Sequence, residues 1–124
     1  MDEQSTRDTI DKFYQSVVGK DDAWKELWSD DTIFGDASGT LQAEGKAAAI
    51  QSFTPFLKGV AGLEVRQRIV QGANACYVVS YDYVNPKGEK MQQDDAEVWE
   101  VRDGKLAKLT IYFDLTQYRS FMRR

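Results

Sequence analysis

Two neighbouring stretches of the chain alternate strictly along their length, and they decide the fold. Residues 63–69 read Leu-Glu-Val-Arg-Gln-Arg-Ile, and residues 75–84 read Ala-Cys-Tyr-Val-Val-Ser-Tyr-Asp-Tyr-Val. Side chains of a strand point alternately to opposite faces of a sheet, so this period of two predicts two strands. In the second stretch the alternation places four apolar or aromatic residues on one face: Tyr77, Val79, Tyr81 and Tyr83.

Turn residues after these strands predict that the sheet continues as a meander. Asn-Pro-Lys-Gly at 85–88 and Arg-Asp-Gly-Lys at 102–105 are turn signals, and they bound strands predicted over 91–101 and 106–113. The chain then closes with a short helix, which we predict begins after Asp114 as its N-cap. The second half of the sequence therefore predicts an antiparallel sheet of four main strands.

Before Gly59 the apolar residues recur with the period of a helix instead. The first predicted helix starts in a capping-box pattern at residues 5–8 and ends at Gly19. A short second helix covers residues 22–28, and a third covers residues 44–57, where Pro55 kinks or ends it. Arg66 and Arg68, in the strand that follows, are predicted to point outward together.

A short first strand at residues 32–34 and a turn at 35–39 separate the second and third helices. Three helices followed by a sheet form an α+β layout, in which the helices cover one face of a curved sheet. The 124 residues suffice for one domain, residues 1–124, with a substantial core.

Composition excludes several classes of function. The chain has no histidine, so it holds no Ser-His-Asp or Cys-His nucleophile, no HExxH metal site and no imidazole proton shuttle. The lone cysteine, Cys76, lies in an apolar run and is expected to be a buried, unreactive thiol. Asp94 and Asp95 are neighbours on a strand and point to opposite faces, so we predict no metal site, and no cofactor is indicated.

The charge pattern indicates which partners to expect. A net charge of −4 and a pI near 4.8 argue against nucleic-acid binding. The sequence has no apolar run long enough to span a membrane and no signal-peptide pattern at its start. We therefore expect a cytoplasmic protein with no nucleic-acid or membrane partner.

Four motifs in this order resemble the nuclear transport factor 2-like superfamily. They are Trp-Ser-Asp-Asp-Thr-Ile-Phe-Gly-Asp at 28–36, Glu-Gly-Lys-Ala at 44–47, Tyr-Val-Val-Ser-Tyr-Asp-Tyr at 77–83 and Val-Trp-Glu-Val-Arg-Asp-Gly-Lys at 98–105. Within that superfamily the chain is most similar to the SnoaL-like and ketosteroid-isomerase-like branch. The resemblance extends from Ile10 to Phe121. It implies a cystatin-like cone, in which a curved sheet wraps round the helices and encloses an apolar cavity.

The resemblance also implies candidate catalytic residues. In the isomerases of this superfamily a carboxylate base follows the first strand, and that position falls on Asp36 here. Their oxyanion hole pairs a tyrosine of the first helix with a protonated carboxylic acid on the third long strand. These positions fall on Tyr14 and Glu97, and in an apolar cavity we expect the pKa values of Asp36 and Glu97 to be raised.

Each candidate has a purely structural alternative. Asp36 is also a natural Asx-turn residue, and Tyr14 is also a natural core residue of a helix. Apolar residues occur on both faces of the strand around Glu97, so the sequence leaves its orientation open, although we favour an inward one. If Arg66 or Arg68 pointed inward between the two carboxylates, an epoxide-hydrolase-like site would be plausible.

Two hypotheses of function follow. The first is an isomerase, cyclase or dehydratase that moves a proton next to a carbonyl in a small hydrophobic substrate, with a carboxylate base. The second is a non-catalytic domain of the same fold that binds a hydrophobic ligand or dimerises through the outer face of the sheet, around Cys76, Val78 and Val84. In either case we expect the cavity to be lined by Phe13, Trp28, Tyr77, Val79, Tyr81, Trp99, Leu109 and Ile111.

Overall fold

A computed structural model of the chain describes residues 2–124. Its helices are α1 (Glu3–Gly19), a 3₁₀ helix (Ala23–Leu27), α2 (Lys46–Lys58) and α3 (Leu115–Met122). Its strands are β1 (Trp28–Asp36), β2 (Gln42–Glu44), β3 (Val60–Gln71), β4 (Asn74–Val84), β5 (Lys90–Arg102) and β6 (Lys105–Tyr112). The helices pack on the concave face of one curved sheet, which confirms the α+β cone.

The sheet has six strands in the order β2-β1-β6-β5-β4-β3. The pairs β3–β4, β4–β5 and β5–β6 are antiparallel, as predicted, whereas β1 runs parallel to β6. Two details of the prediction are wrong: β1 is nine residues long rather than three, and β2 was not expected. β1 pairs with β6, which is distant in sequence and therefore invisible to local patterns, and β2 pairs with β1 across the intervening turn.

The start of α1 also differs from the prediction. The helix begins at Glu3, and the Asp2 side chain caps it by accepting a hydrogen bond of 2.7 Å from the backbone N–H of Ser5. Aspartate caps a helix as well as serine does, and Asp2 lies earlier in the chain. At the other end Lys20, with a φ of 56°, adopts the left-handed conformation expected just past a helix.

The 3₁₀ helix and α2 are close to their predicted positions. The short helix ends at Leu27, because Trp28 already belongs to β1. Pro55 does not end α2, which continues to Lys58. At the end of the chain Asp114 caps α3 as predicted, since its carboxylate accepts a 2.9 Å hydrogen bond from the N–H of Gln117.

An irregularity in β3 changes which side chains lie on the concave face. The register with β4 shifts between Val65 and Gln67, so that one extra residue is accommodated. Beyond that shift Arg68 pairs with the buried Tyr77 and lies on the concave face, whereas Arg66 lies on the convex face beside Ser80. Both arginine side chains are exposed, as expected, but the bulge reverses the alternation and places Arg68 on the concave face, where it pairs with Asp11.

The concave face and the helices enclose a core that is rich in aromatic rings. Phe13 of α1 makes edge-to-face contacts with Tyr14, Trp28, Phe53 and Trp99, with ring centroids 5.1–5.7 Å apart. Such contacts add stability beyond the burial of their area. Within residues 2–124 no helix is both long and apolar enough to cross a membrane.

Candidate active site

Glu97 lies in the middle of β5 and points into the core. Its register partners are Tyr77 on β4 and Ile111 on β6, and all three residues are at most 2% exposed. A glutamate at such a position is rare, because burial strongly disfavours its ionised form. The structure thus selects the inward orientation that the sequence left open.

Phenol groups surround the Glu97 carboxylate. The hydroxyl of Tyr14 donates a hydrogen bond to Oε1, and the hydroxyl of Tyr81 lies 2.9 Å from Oε2. The Tyr14 oxygen in turn accepts a hydrogen bond of 3.0 Å from the indole Nε1 of Trp99. The first helix and the sheet therefore bring the predicted pair, Tyr14 and Glu97, into direct contact.

This environment sets the pKa of Glu97 near neutrality. Burial raises it most, while the hydrogen bonds from Tyr14 and Tyr81 lower it, and the result is a pKa of about 7. Burial, and next the charge of Glu97, hold the pKa values of both phenols well above their ordinary value. Glu97 is consequently the group that can take up or release a proton at neutral pH.

Asp36 has a different environment from the one we predicted. It ends β1, pairs with Ile111 and is 6% exposed, so it lies in the same row of the sheet as Glu97. Its carboxylate, however, accepts hydrogen bonds from the hydroxyl and N–H of Ser38 and, at 2.7 Å, from the N–H of Leu41. Burial raises the pKa of Asp36, but these hydrogen bonds together outweigh it and the pKa is lowered.

The expectation of a raised pKa at Asp36 is therefore wrong. Its oxygen atoms are occupied by the turn that follows β1, as the Asx-turn alternative requires. A carboxylate stabilised in this way is a weaker base than an ordinary one. Of the two carboxylates that the resemblance singles out, only Glu97 has a pKa suited to proton transfer at neutral pH.

Neither arginine of β3 lies between these carboxylates. Arg68 is paired with Asp11 of α1, with Nε 3.1 Å from Oδ1, and its guanidinium lies over the ring of Tyr77. Arg66 bonds to Ser80 on the opposite face. The condition that would have indicated an epoxide-hydrolase-like arrangement is not met.

The eight residues predicted to line a cavity all belong to the core. Each of them is at most 2% exposed. They pack against one another and against the helices; Trp28 and Trp99, for example, have ring centroids 6.1 Å apart. In this structure the interior of the cone is thus filled largely by aromatic side chains.

A groove between α1 and β3 opens at the surface next to Tyr14. We call it the α1–β3 groove; its volume is about 480 Å³, and it is lined by residues that include Asp11, Tyr14, Val18, Leu63, Val65 and Arg68. This volume is typical of sites for small molecules. Tyr14 both lines the groove and bonds to Glu97, so it connects the two.

A further buried carboxyl group, that of Asp95, was not predicted from the sequence as a site residue. Asp95 is 1% exposed and lies on the same side of β5 as Glu97. Burial raises its pKa most, the charges of Glu97 and Asp94 add to the effect, and the pKa is about 9. The sequence signal was the two-residue spacing of Gln93, Asp95 and Glu97, which places all three on one face of a strand.

Other polar candidates take no part in this site. Cys76 is half-buried on the convex face, where burial raises the pKa of its thiol. Within residues 2–124 no group of three or more histidine, cysteine, aspartate or glutamate side chains is arranged to hold a metal ion.

Comparison of the sequence with known families identifies the class of protein. Residues 10–109 match the SnoaL-like domain family. The chain belongs to that family. No curated protein is significantly similar to the chain in sequence.

Solved structures agree on the fold. The chain is similar to a protein described as an isomerase from Bacillus subtilis, with 20% identity, a TM-score of 0.83 and coverage of 99% of this chain and 96% of the other. It is also similar to a protein described as a SnoaL-like polyketide cyclase from Jannaschia sp. CCS1, with 18% identity, a TM-score of 0.82 and coverage of 97% and 92%.

A third similar structure is that of SalBIII, described as an epoxide hydrolase/cyclase-like enzyme in pyran ring formation of the polyether salinomycin. The identity is 19%, the TM-score is 0.84, and coverage is 93% of this chain and 95% of the other. At such identities these similarities show the fold, and one fold supports many activities. The activity of this chain therefore depends on the residues of its site.

Proposed function

We propose that the protein is an enzyme that moves a proton on a carbon next to a carbonyl group in a small hydrophobic substrate, with Glu97 as the proton carrier. The observation that carries this proposal is a buried carboxylate with a pKa of about 7 that accepts hydrogen bonds from two phenols. A general base is most effective when its pKa lies near the working pH.

Glu97 can both remove and return the proton, so the reaction needs no other proton carrier. Its carboxylate removes a proton from the carbon, the electron pair of the C–H bond forms the carbon–carbon double bond of an enolate, and the carbonyl oxygen takes the negative charge. Glu97, now a carboxylic acid, returns the proton to another atom of the intermediate. An isomerisation, a cyclisation or an elimination can each be completed from this enolate.

The α1–β3 groove supports a small and mostly apolar substrate. Leu63, Val65 and Val18 supply apolar wall, and the charges of Asp11 and Arg68 neutralise each other at the rim. The hydroxyl of Tyr14 lies between this groove and Glu97. Glu97 itself is 1% exposed and does not line the groove, so a substrate bound there reaches the carboxylate only when the Tyr14 side chain moves aside.

Exchange of carbon-bound hydrogen for deuterium tests the proposal without knowledge of the natural substrate. Three neutral ketones (1-indanone, 1-tetralone and 2-cyclohexenone) are incubated in D₂O with the protein, and loss of the proton next to the carbonyl is followed by NMR. We expect Glu97→Gln to slow exchange by about a hundredfold or more, the scale of general base catalysis. The wild-type rate should rise with pH through about 7, because the base must be ionised.

Two further variants make the result specific. Glu100→Gln changes an exposed glutamate of the same strand and should exchange at the wild-type rate. Asp36→Asn tests the base that the resemblance implies, and we expect it to retain exchange. If Asp36→Asn abolished exchange while Glu97→Gln did not, or if no ketone exchanged faster than in buffer, the proposal would be wrong.

A non-catalytic binding domain is the second candidate, and it is favoured by the apolar wall of the α1–β3 groove, which Glu97 does not line. The same experiment separates the two functions. Binding of the ketones with no acceleration of exchange, in the wild type and in every variant, would indicate a binding domain rather than an enzyme.

A further inference from the structure

A separate pocket lies where α1 and α2 end, beside the start of the 3₁₀ helix. We call it the helix-end pocket; its volume is about 300 Å³, and it is lined by residues that include Val17, Lys20, Trp24, Leu57, Lys58 and Val60. It shares no lining residue with the α1–β3 groove, so the two sites are distinct. Its volume is within the range of sites that bind small molecules.

The floor of the helix-end pocket is apolar and fixed in place. Val17, Trp24 and Val60 are at most 7% exposed. The ring of Trp24 packs on Phe53 with centroids 5.5 Å apart, and the backbone N–H of Trp24 donates a 2.9 Å hydrogen bond to Oγ of Ser16. The pocket therefore presents a preformed apolar surface, which a ligand can cover without first ordering the protein.

The two carboxylates that line this pocket already have partners. The carboxylate of Asp21 accepts hydrogen bonds from the hydroxyl of Ser16 and the N–H of Ala23, and these bonds lower its pKa. Asp22 pairs with Lys25, with Oδ1 3.2 Å from Nζ. Both negative charges are thus compensated by groups of the protein itself.

Two lysines of the same pocket have no such partner. Within residues 2–124 the ammonium groups of Lys20 and Lys58 make no ion pair and donate no hydrogen bond. Lys58 is the last residue of α2, and Lys20 follows α1, where its backbone N–H bonds to the carbonyls of Ser16 and Val17. Cations are favourable at the carboxyl ends of helices, and here their charges remain free to attract an anion.

The charges that line the pocket indicate how much negative charge the anion carries. Three lysines stand against two aspartates, which leaves one positive charge. A carboxylate carries one negative charge, whereas a phosphate monoester carries nearly two at neutral pH. The apolar floor, in turn, requires an apolar body on the ligand.

We propose that the helix-end pocket binds a small organic carboxylate whose apolar body packs on Trp24 and whose carboxylate pairs with Lys20 and Lys58. A lysine acts as a point charge rather than a planar fork, so the shape of the apolar body determines which carboxylate binds best. The inference does not rest on the proposed function, because the pocket is lined by neither Glu97 nor Tyr14.

Titration with 2-naphthoate tests the inference at pH 7. Calorimetry gives the dissociation constant, and NMR of the ¹⁵N-labelled protein gives the location. We expect the N–H signals of Trp24 and Leu57 to shift, while those of Leu63 and Val65 in the α1–β3 groove stay in place. The uncharged 2-naphthamide has the same rings and should bind about tenfold more weakly, the scale of two partly exposed ion pairs.

Paired variants assign the effect to the two lysines. Lys20→Gln combined with Lys58→Gln should weaken binding of 2-naphthoate about tenfold and leave 2-naphthamide unchanged. Lys12→Gln combined with Lys87→Gln removes the same charge from exposed positions elsewhere and should bind as the wild type does. Lys20→Arg combined with Lys58→Arg keeps both charges and should retain binding.

Several results would overturn the inference. They are equal affinities for 2-naphthoate and 2-naphthamide, equal losses in the two glutamine pairs, shifts confined to Leu63 and Val65, and no binding up to the solubility limit of 2-naphthoate. If the Lys20 and Lys58 variants lost thermal stability but no affinity, the lysines would serve the helix ends alone. Each of these results leaves the exchange experiment with neutral ketones, and hence the proposed function, unaffected.

Discussion

At the scale of single residues, the two buried carboxyl groups of β5 make the stability of the protein depend on pH. Asp95 has a pKa of about 9 when folded, against about 3.9 for an aspartate in an unfolded chain. The folded protein therefore keeps a proton that the unfolded chain releases between these two values. Stability must consequently fall as the pH rises through this window.

We predict that Asp95→Asn removes this part of the pH dependence. The variant should gain stability relative to the wild type as the pH rises from 5 to 8, by on the order of 1 kcal/mol per pH unit. Urea unfolding at several pH values measures the difference. Asp94→Asn is the control and should leave the slope unchanged, and parallel curves for wild type and Asp95→Asn would show that Asp95 is ionised in the folded protein.

At the scale of elements, α3 closes one end of the core and is held at its start in two ways. The carboxylate of Asp114 accepts a hydrogen bond from the N–H of Gln117, and its backbone oxygen accepts one from the Gln93 amide. The ring of Tyr118 then packs on Tyr83, with centroids 5.0 Å apart. The position of α3 thus determines how tightly the region around Asp95 is covered.

Replacing the cap should loosen this helix. We predict that Asp114→Ala lowers the free energy of unfolding by about 1 kcal/mol, the usual cost of a lost N-cap. It should also accelerate amide hydrogen exchange in residues 117–122 more than in β4. Asp114→Ser retains a capping oxygen and should restore most of the loss; if it were as destabilising as Asp114→Ala, the cap would not be the cause.

At the scale of the whole molecule, the convex face of the sheet carries exposed apolar side chains. Ile69, Val98 and Tyr112 are 55%, 38% and 53% exposed, and Ile69 and Val98 both pair with Cys76. Apolar patches of this kind commonly mark interfaces. We propose that two copies of the chain associate through this face, as expected from the sequence.

Light scattering at micromolar concentration tests this association. We expect a dimer for the wild type and a monomer for Val98→Lys, because an unpaired charge at the centre of the face opposes burial. Val18→Lys changes a valine on α1 that is even more exposed, at 58%, and lies away from this face; this variant should remain dimeric. A wild-type monomer at this concentration would contradict the proposal.

Several helices, strands and turns of this molecule follow from the sequence alone, because they depend on interactions between residues close together in the chain. The alternation of residues 75–84, the turns at 85–88 and 102–105 and the cap at Asp114 predicted the antiparallel strands and α3 correctly. Helical period likewise predicted α1 and α2 to within a few residues. The similarity of Glu97 and Tyr14 to known site residues also came from sequence, and the fold brings the two into contact.

The strand pairing, the bulge and the pKa values of the buried carboxyl groups were decided by the tertiary structure, because each depends on residues far apart in the chain. The parallel pairing of β1 with β6 joins strands from opposite halves of the chain, and the bulge in β3, which places Arg68 on the concave face, is visible only against β4. Asp36 and Asp95 are both buried carboxyl groups, and the sequence favoured the first. Their pKa values differ because Asp36 accepts hydrogen bonds from a turn, whereas Asp95 has no hydrogen-bond partner among residues 2–124. Only the packed structure determines which groups are within reach.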